Sequence, residues 1–158
     1  MKCEHKPYLR RVHYYETDQM GIVHHANDIR WFEEARVDFM DQWGLPYEEL
    51  EKDGILMPVT HVEVAYLLPL TFGETVEIVT ALVFFNGIRA VFHYEVYTEK
   101  DRKLAVKGES GHCFLDAASR RPLNLQKRRP DFCAAAQDML AGFADNEEKH
   151  KIGKRRTI

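Results

Sequence analysis

Residues 17–28 place a carboxylate, a glycine and two adjacent histidines directly before a helix-like segment. In this stretch, TDQMGIVHHAND, Asp18 is followed by Gly21 and then by His24 and His25. A carboxylate can attack a carbonyl carbon directly or activate a water molecule for that attack. The first turn of a helix carries unpaired backbone N–H groups and a partial positive charge, which can polarise a carbonyl oxygen. The stretch therefore has the groups needed for attack on an acyl carbonyl.

Two other interpretations of the same residues are open. An aspartate in a turn before a helix is commonly a turn former or a helix cap. Asp18, His24, His25 and Asp28 also offer oxygen and nitrogen atoms to a metal ion. Adjacent histidines on a helix point about 100° apart, and the sequence has no HExxH or CxxC motif, so we expect no metal and no other cofactor.

Composition indicates one ordinary globular domain. The chain has 158 residues, of which 45% are hydrophobic and 30% charged, and a net charge of -3 that gives no reason to expect nucleic-acid binding. We see no signal sequence in MKCEHKPYLR and no apolar run long enough for a transmembrane segment. Cys3, Cys113 and Cys133 are odd in number and scattered, which suggests the cytoplasm.

The segment after the histidines has helical periodicity. Residues 29–44 carry apolar side chains at helical spacing, and Gly44 is a typical C-terminal cap. These apolar positions are Ile29, Trp31, Phe32, Ala35, Val37, Phe39, Met40 and Trp43. Because they cover more than one narrow stripe, we expect the helix to be surrounded by other elements. A short second helix is predicted over 46–54.

Strand-like patterns stand on both sides of these helices. Residues 9–15 have strand character, and apolar residues alternate over 62–68, 76–84 and 90–96, with another strand over 103–116. Asn86 and Gly87 between two of these runs predict a hairpin, so the three long strands should be antiparallel neighbours. A terminal helix is predicted over 129–140. We expect a domain over 1–142 and a flexible C-terminal tail over 143–158.

The stretch RVHYYETDQMGIVHHAN, residues 11–27, resembles a known family. It is similar to the 4-hydroxybenzoyl-CoA thioesterase-like family, and especially to its bacterial acyl-CoA thioesterase branch associated with the Tol-Pal system. The matching residues are Arg11, Val12, Tyr14, Thr17, Asp18, Gly21, Ile22, Val23, His25 and Ala26. The resemblance implies a hotdog fold, an α+β design in which a curved antiparallel sheet of about five strands wraps around one long central helix.

The resemblance also implies roles for individual residues. Asp18 would be the catalytic carboxylate, the backbone N–H of His25 the oxyanion donor, and the Tyr14 and His25 side chains further catalytic groups. The substrate would be a small or medium acyl-CoA. The predicted substrate-binding residues are Gly21, Val23, His24, Asp28, Pro58, Val59 and Arg89. The family further implies a homodimer or a dimer of dimers, with each site completed by the partner chain.

His24 and Asp28 depart from the family pattern, in which tyrosine and an aromatic residue are usual. If they face the pocket, they make its wall more polar and favour a short or polar acyl group. Asp28 could equally stabilise the helix N-terminus through its charge. Three alternatives stay open at this point: a hotdog module that binds acyl-CoA or acyl carrier protein without turnover, an acyl-carrier-protein thioesterase, and a hotdog dehydratase.

Overall fold

The computed structural model describes the backbone of residues 5–155 and the side chains of residues 5–144. The strands are β1 (Tyr8–Arg11), β2 (Ile55–Leu56), β3 (Val59–Tyr66), β4 (Thr75–Phe85), β5 (Arg89–Thr98), β6 (Leu104–Cys113) and β7 (Leu115–Asp116). The α-helices are α1 (His25–Gln42), α2 (Tyr47–Lys52), α3 (Leu125–Arg128) and α4 (Pro130–Arg155), and a 3-10 helix spans Tyr14–Glu16.

Five strands form an antiparallel sheet in the order β1-β4-β5-β6-β3, and β2 pairs with β7 in a separate ladder. The three long strands β4, β5 and β6 are antiparallel neighbours, as their alternation predicts. The predicted hairpin joins β4 to β5, with Gly87 at φ +87 in the left-handed region that favours glycine. The Asn86 side-chain oxygen accepts hydrogen bonds from the Ile88 and Arg89 backbone N–H groups, which closes this turn.

Helix α1 packs across one face of the sheet. Its Phe32 ring stacks on Tyr94 of β5 with the ring centroids 4.4 Å apart, and Phe39 meets Phe92 edge to face. Gly108 of β6 permits this contact, because a Cβ atom there would lie 2.6 Å from a Phe32 ring carbon. The α+β hotdog fold is thus confirmed, with a five-stranded sheet and a central helix whose core side chains are buried.

Helix α4 lies against the opposite face of the sheet. It packs along β4, and its Phe143 ring contacts His93, whose neighbour Tyr94 faces α1. Side chains alternate along a strand, so α1 and α4 lie on different sides of the sheet. No helix in the described part of the chain has the length and apolar character required to cross a membrane.

Several boundaries differ from the sequence predictions. The first strand ends at Arg11, so Tyr14 lies in the 3-10 helix and not on a strand. The strand predicted through residue 68 ends at Tyr66, and the strand predicted over 103–116 divides into β6 and β7. Ile29 is 42% exposed, although its spacing predicted a buried position. Helical spacing alone did not separate the covered side of α1 from its margin.

The C-terminal prediction was wrong about secondary structure. The terminal helix does not end near residue 140, because α4 continues to Arg155. Residues 143–155, predicted as a flexible tail, therefore have helical backbone, and 156–158 lie outside the described residues. The segment is polar, but it contains two Glu and three Lys residues, which are good helix formers once a preceding turn exists. The domain boundary at residue 142 stays a prediction.

Candidate active site

A cavity of about 290 Å³ opens where the N-terminus of α1 meets the end of β3. Its polar lining residues are Asp18, His25, Asp28 and Tyr66. Its other lining residues are Met20, Ile22, Val23, Leu67, Leu68, Pro69, Leu70 and Val106. The cavity therefore brings the predicted catalytic carboxylate, the first residue of α1 and an apolar wall together in one place.

A tight turn holds Asp18 at this cavity. The Asp18 Oδ1 atom accepts a hydrogen bond from the Met20 N–H at 2.8 Å, and the Asp18 carbonyl accepts one from the Gly21 N–H at 2.9 Å. Gly21 has φ +76, a conformation that side-chain-bearing residues rarely adopt. The turn-forming interpretation of Asp18 thus holds for Oδ1, while Oδ2 has no donor among the described residues. The carboxylate can form the turn and still present an oxygen to a substrate.

The start of α1 presents an unpaired backbone donor. His24 is the N-cap residue, and its Nδ1 accepts a hydrogen bond from the Ala26 N–H at 3.2 Å. The Asn27 N–H donates to the His24 carbonyl at 2.9 Å. Within the described residues the His25 N–H has no acceptor, while the His25 carbonyl accepts from the Tyr66 hydroxyl at 2.7 Å. The His25 N–H is therefore available to a carbonyl oxygen in the cavity.

The two histidines are not arranged as successive helical residues. Because His24 is the cap and has extended backbone, its ring stacks on the His25 ring with centroids 4.1 Å apart. The divergence of about 100° expected for helical neighbours does not apply to this pair. His24 is exposed and does not line the cavity, whereas His25 does.

Glu16 connects the turn, the helix and β1, and sequence analysis missed it. Its buried carboxylate accepts hydrogen bonds from both terminal nitrogens of Arg10, from the Trp31 ring nitrogen at 3.0 Å and from the His13 N–H at 2.8 Å. Its carbonyl accepts hydrogen bonds from the His24 N–H and the Asn27 side-chain amide, each at 2.8 Å.

The pKa of Glu16 reflects this arrangement. Burial alone would raise the pKa, but the donors, Arg10 first among them, outweigh it and lower the pKa below its ordinary value. Glu16 therefore stays ionised and fixes the loop that carries Asp18 relative to α1. Little in the sequence points to Glu16, since a lone glutamate in a polar stretch is usually exposed.

Asp28 is buried beside the same cavity. It is 2% exposed, and its Oδ1 has no hydrogen-bond partner within the described residues. Burial raises the pKa of Asp28 to about 7, and the Glu16 carboxylate adds to the rise, although the Asp28 backbone N–H opposes it. Asp28 caps no other residue of the helix. Asp28 thus lies in the wall of the cavity, while its predicted role in substrate binding and its alternative role at the helix N-terminus both stay predictions.

The remaining predicted site residues lie away from the cavity of this chain. Tyr14 is 77% exposed, and its ring packs on Phe72 at a centroid distance of 5.6 Å. Pro58, Val59 and Arg89 lie at the other end of the sheet, where β3 and β5 begin. Tyr66 stands seven positions after Val59 along β3, a span of roughly 23 Å. A single chain therefore does not bring Pro58, Val59 and Arg89 to Asp18, and the roles of these residues and of Tyr14 stay predictions.

The metal interpretation based on Asp18, His24, His25 and Asp28 finds no support in the described residues. Side chains able to share an ion, with ligand atoms within 4.8 Å of one another, occur there at His61, Glu63 and Glu109. His61 and Glu63 alternate with Val64, which packs on the core, so this group lies on the sheet face opposite α1. The residues of the cavity do not form such a group.

Comparison with known proteins identifies the family. The sequence profile described as "Thioesterase-like superfamily" matches residues 12–141. The chain belongs to the thioesterase-like superfamily. A relative from Bacillus subtilis (strain 168), named "Putative acyl-CoA thioesterase YneP", is 38% identical over 124 residues, which are 78% of this chain and 89% of that protein.

Two further relatives of this superfamily member carry a more specific name. A "1,4-dihydroxy-2-naphthoyl-CoA hydrolase" from Thermosynechococcus vestitus is 25% identical over 141 residues, 89% of this chain and 96% of that protein. A crystal structure of DHNA-CoA thioesterase from Staphylococcus aureus is 30% identical, with a TM-score of 0.84 over 89% of this chain and 94% of that one. The predicted family and the thioester hydrolase class are confirmed, whereas the Tol-Pal-associated branch stays a prediction.

Proposed function

We propose that this superfamily member is an acyl-CoA thioesterase in which Asp18 acts on the thioester and the start of α1 holds the carbonyl oxygen. The observation that carries the proposal is the placement of Asp18 and His25 in the lining of one cavity. The His25 N–H lacks an acceptor, and one Asp18 carboxylate oxygen lacks a donor, among the described residues. An acyl carbonyl between them would meet an attacking group and an oxyanion donor at once.

Two routes are consistent with this placement. In the first, an Asp18 oxygen attacks the carbonyl carbon, the C–S bond breaks, the coenzyme A thiolate leaves, and water then hydrolyses the acyl-aspartyl anhydride. In the second, Asp18 removes a proton from a water molecule, which attacks the carbonyl carbon and expels the thiolate. Single-turnover hydrolysis in ¹⁸O-labelled water tests the first route. Water attack at the aspartyl carbonyl of the anhydride would leave the label on Asp18 and an aspartate oxygen in the product carboxylate, which the second route cannot do.

The cavity volume favours a small or medium acyl group. A space of about 290 Å³ lies at the lower end of the range for small-molecule pockets. Relatives named as hydrolases of 1,4-dihydroxy-2-naphthoyl-CoA suggest that a compact aromatic acyl group belongs in the test set. A screen of short-chain, long-chain and aromatic acyl-CoAs, with the release of free coenzyme A thiol as the readout, tests the activity and ranks the substrates.

We place the partner chain of a homodimer at the exposed edge of β3. This strand is at the end of the sheet order, and it has no neighbour on its outer side in the described chain. If two β3 strands pair antiparallel about their midpoint, the partner's Val59 comes opposite this chain's Tyr66. That pairing would bring Pro58, Val59 and Arg89 of one chain to the cavity of the other.

The exposed apolar side chains around the cavity support the same assembly. Tyr66 ends β3, Leu67 and Leu68 follow it, and Met20 and Phe72 lie on adjoining turns. Each of these five residues is at least 41% exposed. An apolar surface beside an open strand edge is typical of a region that another chain covers. Pairing of two such dimers into a tetramer remains part of the proposal.

The proposed reaction uses no metal and no other cofactor. Both routes need only a carboxylate, a water molecule and backbone donors. Dialysis against EDTA should therefore leave thiol release from the best acyl-CoA unchanged. Activity that disappeared on chelation and returned with a divalent metal ion would contradict the carboxylate mechanism.

A binding module without turnover is the second candidate. It would keep affinity for acyl-CoA or for an acyl carrier protein and release no thiol from either. The same screen, run with acyl-CoA and acyl-carrier-protein thioesters, distinguishes this module from both kinds of thioesterase. We place the reaction in the cytoplasm, since Cys113 and Cys133 are free thiols.

A further inference from the structure

Asp28 has an unexplained buried oxygen. Asp28 is 2% exposed, its Oδ1 has no partner among the described residues, and the residue lines the cavity. Burying a polar atom without a hydrogen bond costs free energy, and burying an unpaired charge costs more. The carboxyl caps no other backbone group of α1, and an exposed aspartate would complement the helix dipole equally well. A ligand in the cavity would supply the missing partner.

The position of Asp28 limits where that partner can be. His25 and Asp28 are three residues apart on α1, so they lie on the same side of the helix, about 4.5 Å apart along its axis. The proposed function places the thioester carbonyl at the His25 N–H. Asp28 then faces the part of the acyl group that extends past the carbonyl carbon by roughly two to four bonds.

The chemistry of the surroundings selects the kind of group. The wall near Asp28 is otherwise apolar, with Leu70 and Val106 buried beside the cavity. The Tyr66 hydroxyl already donates to the His25 carbonyl. A second anion would be repelled by Asp18 and Glu16, so a carboxylate on the substrate is disfavoured. A hydroxyl group can both donate to and accept from a carboxyl group, whichever its protonation state.

We propose that Asp28 binds a hydroxyl group of the acyl chain, so that the preferred substrates are hydroxyacyl-CoAs or hydroxyaroyl-CoAs with the hydroxyl two to four bonds from the thioester carbonyl. The inference rests on the proposed function only for the location of the thioester. It makes Asp28 a specificity-determining residue. The same acyl group without its hydroxyl leaves the buried Oδ1 unpaired and is discriminated against.

Matched substrate pairs test the assignment. One pair is 3-hydroxybutanoyl-CoA and butanoyl-CoA, and the other is 2-hydroxybenzoyl-CoA and benzoyl-CoA. The wild type should favour the hydroxylated member of at least one pair by about 10- to 100-fold in kcat/KM. In Asp28→Leu that ratio should fall below about 3-fold. Asp28→Asn keeps a donor and an acceptor and should preserve most of the ratio.

A control and a second variant separate specificity from folding. Asp41→Leu makes the same change at an exposed position of α1 and should leave the ratio at its wild-type value. Asp28→Leu removes a buried carboxyl, so its melting temperature should equal or exceed that of the wild type. If Asp28→Leu does not fold, Asp28→Ala replaces it. The preference of this variant for the hydroxylated substrates should also fall below about 3-fold in kcat/KM.

Binding measurements keep this inference distinct from the proposed reaction. Calorimetry with the non-hydrolysable thioether analogues of each pair should show the same hydroxyl preference in Asp18→Asn. A preference in binding without hydrolysis of any thioester would overturn the proposed function and retain the role of Asp28. Equal kcat/KM and equal affinity for both members of each pair in the wild type, or an unchanged ratio in both Asp28→Leu and Asp28→Ala, would overturn the role of Asp28.

Discussion

Two aspartates line one cavity in different environments. Asp18 is partly exposed in a turn, and its Oδ1 accepts a backbone hydrogen bond. Asp28 is buried without a donor to Oδ1 in the described residues, and burial raises its pKa to about 7. Carboxyl groups that differ in this way can serve different roles in one site. Here Asp18 suits attack or base catalysis, and Asp28 suits hydrogen bonding to the acyl group.

The raised pKa of Asp28 predicts a pH-dependent effect on stability. Between pH 3.8 and about 7 the folded chain holds a proton that the unfolded chain has released, so this residue makes stability fall as pH rises. Asp28→Asn has no carboxyl group to ionise at this position, so it removes this decrease in stability at higher pH. The free energy of unfolding of the variant should match the wild type near pH 4 and exceed it by about 2–4 kcal/mol at pH 8. Urea unfolding of both proteins across this range measures the difference.

Other titrating groups must be separated from this effect. Glu16, Tyr66, His25 and Asp18 lie near Asp28, and they are unchanged in the variant. Burial lowers the pKa of His112 to about 4, which makes stability rise with pH between about 4 and 6.5 in both proteins. Subtracting the two curves removes that contribution. A difference that stays constant from pH 4 to 8 would contradict the assignment.

At the residue scale, the sequence predicted which residues meet at the start of α1 better than it predicted the buried groups around them. Asp18, Gly21 and the helix start form a local motif, so their spacing was enough to bring them together. The unpaired Oδ1 of Asp28 depends on burial by distant elements such as β6, and no local pattern encodes it. The same is true of Glu16, which is buried through contacts with Arg10 and Trp31.

At the scale of elements, the loop before α1 is held by Glu16. Its carboxylate pairs with Arg10 of β1, and its carbonyl accepts the His24 N–H, so one residue connects strand, turn and helix. Arg10 also pairs with Glu34 of α1, with a nitrogen-oxygen distance of 2.7 Å. The Glu34 side chain is 38% exposed and the Glu16 side chain 3%. The same arginine thus has one buried and one exposed partner.

Glu16→Gln should destabilise the protein by about 2–4 kcal/mol, because it breaks a buried ion pair from one side. The exposed partner provides the matched control, and Glu34→Gln should cost about 1 kcal/mol or less. Thermal unfolding of the two variants measures both effects. Assayed well below its melting temperature, Glu16→Gln should also lose more kcat than Glu34→Gln, since its turn carries Asp18. Equal losses of stability and activity in the two variants would show that Glu16 has no special role.

Element type was predictable where the pattern was long. The alternation of β4 and β5 and the Asn86-Gly87 turn determined a hairpin, and the structure contains it. Short or mixed patterns were less informative: residues 9–15 alternate poorly, and the chain leaves the strand at Arg11. The extension of α4 to Arg155 depends on the helix propensity of its residues and on the helical turns that precede them. A search for apolar periodicity detects neither of these.

At the scale of the whole molecule, the proposed active site is completed by a second chain. The predicted residues Pro58, Val59 and Arg89 are remote from Asp18 within one chain, and pairing of two β3 edges would bring them close. Val59 is 48% exposed at the start of β3. Val59→Lys should weaken the dimer and lower activity in parallel, because a charge in an apolar interface must be desolvated. Ile88→Lys, at a hairpin residue that is 39% exposed, is the control.

Light scattering across a concentration series, with thiol release measured on the same samples, tests this assembly. The wild type and Ile88→Lys should be dimeric or larger wherever they are active. Val59→Lys should dissociate at a higher concentration than either, with activity following the dimer fraction. A wild-type monomer with full activity would show that one chain completes its own site.

The measurement that tests the central claim most directly is the turnover of Asp18→Asn on the best acyl-CoA. Asparagine keeps the side-chain oxygen that accepts the Met20 N–H, so the turn and the melting temperature should be preserved. It lacks the carboxylate, so kcat should fall by at least about 10²-fold, while Asp41→Asn on the exposed side of α1 retains wild-type turnover. Wild-type kcat in a folded Asp18→Asn would contradict the assignment of Asp18 as the catalytic carboxylate.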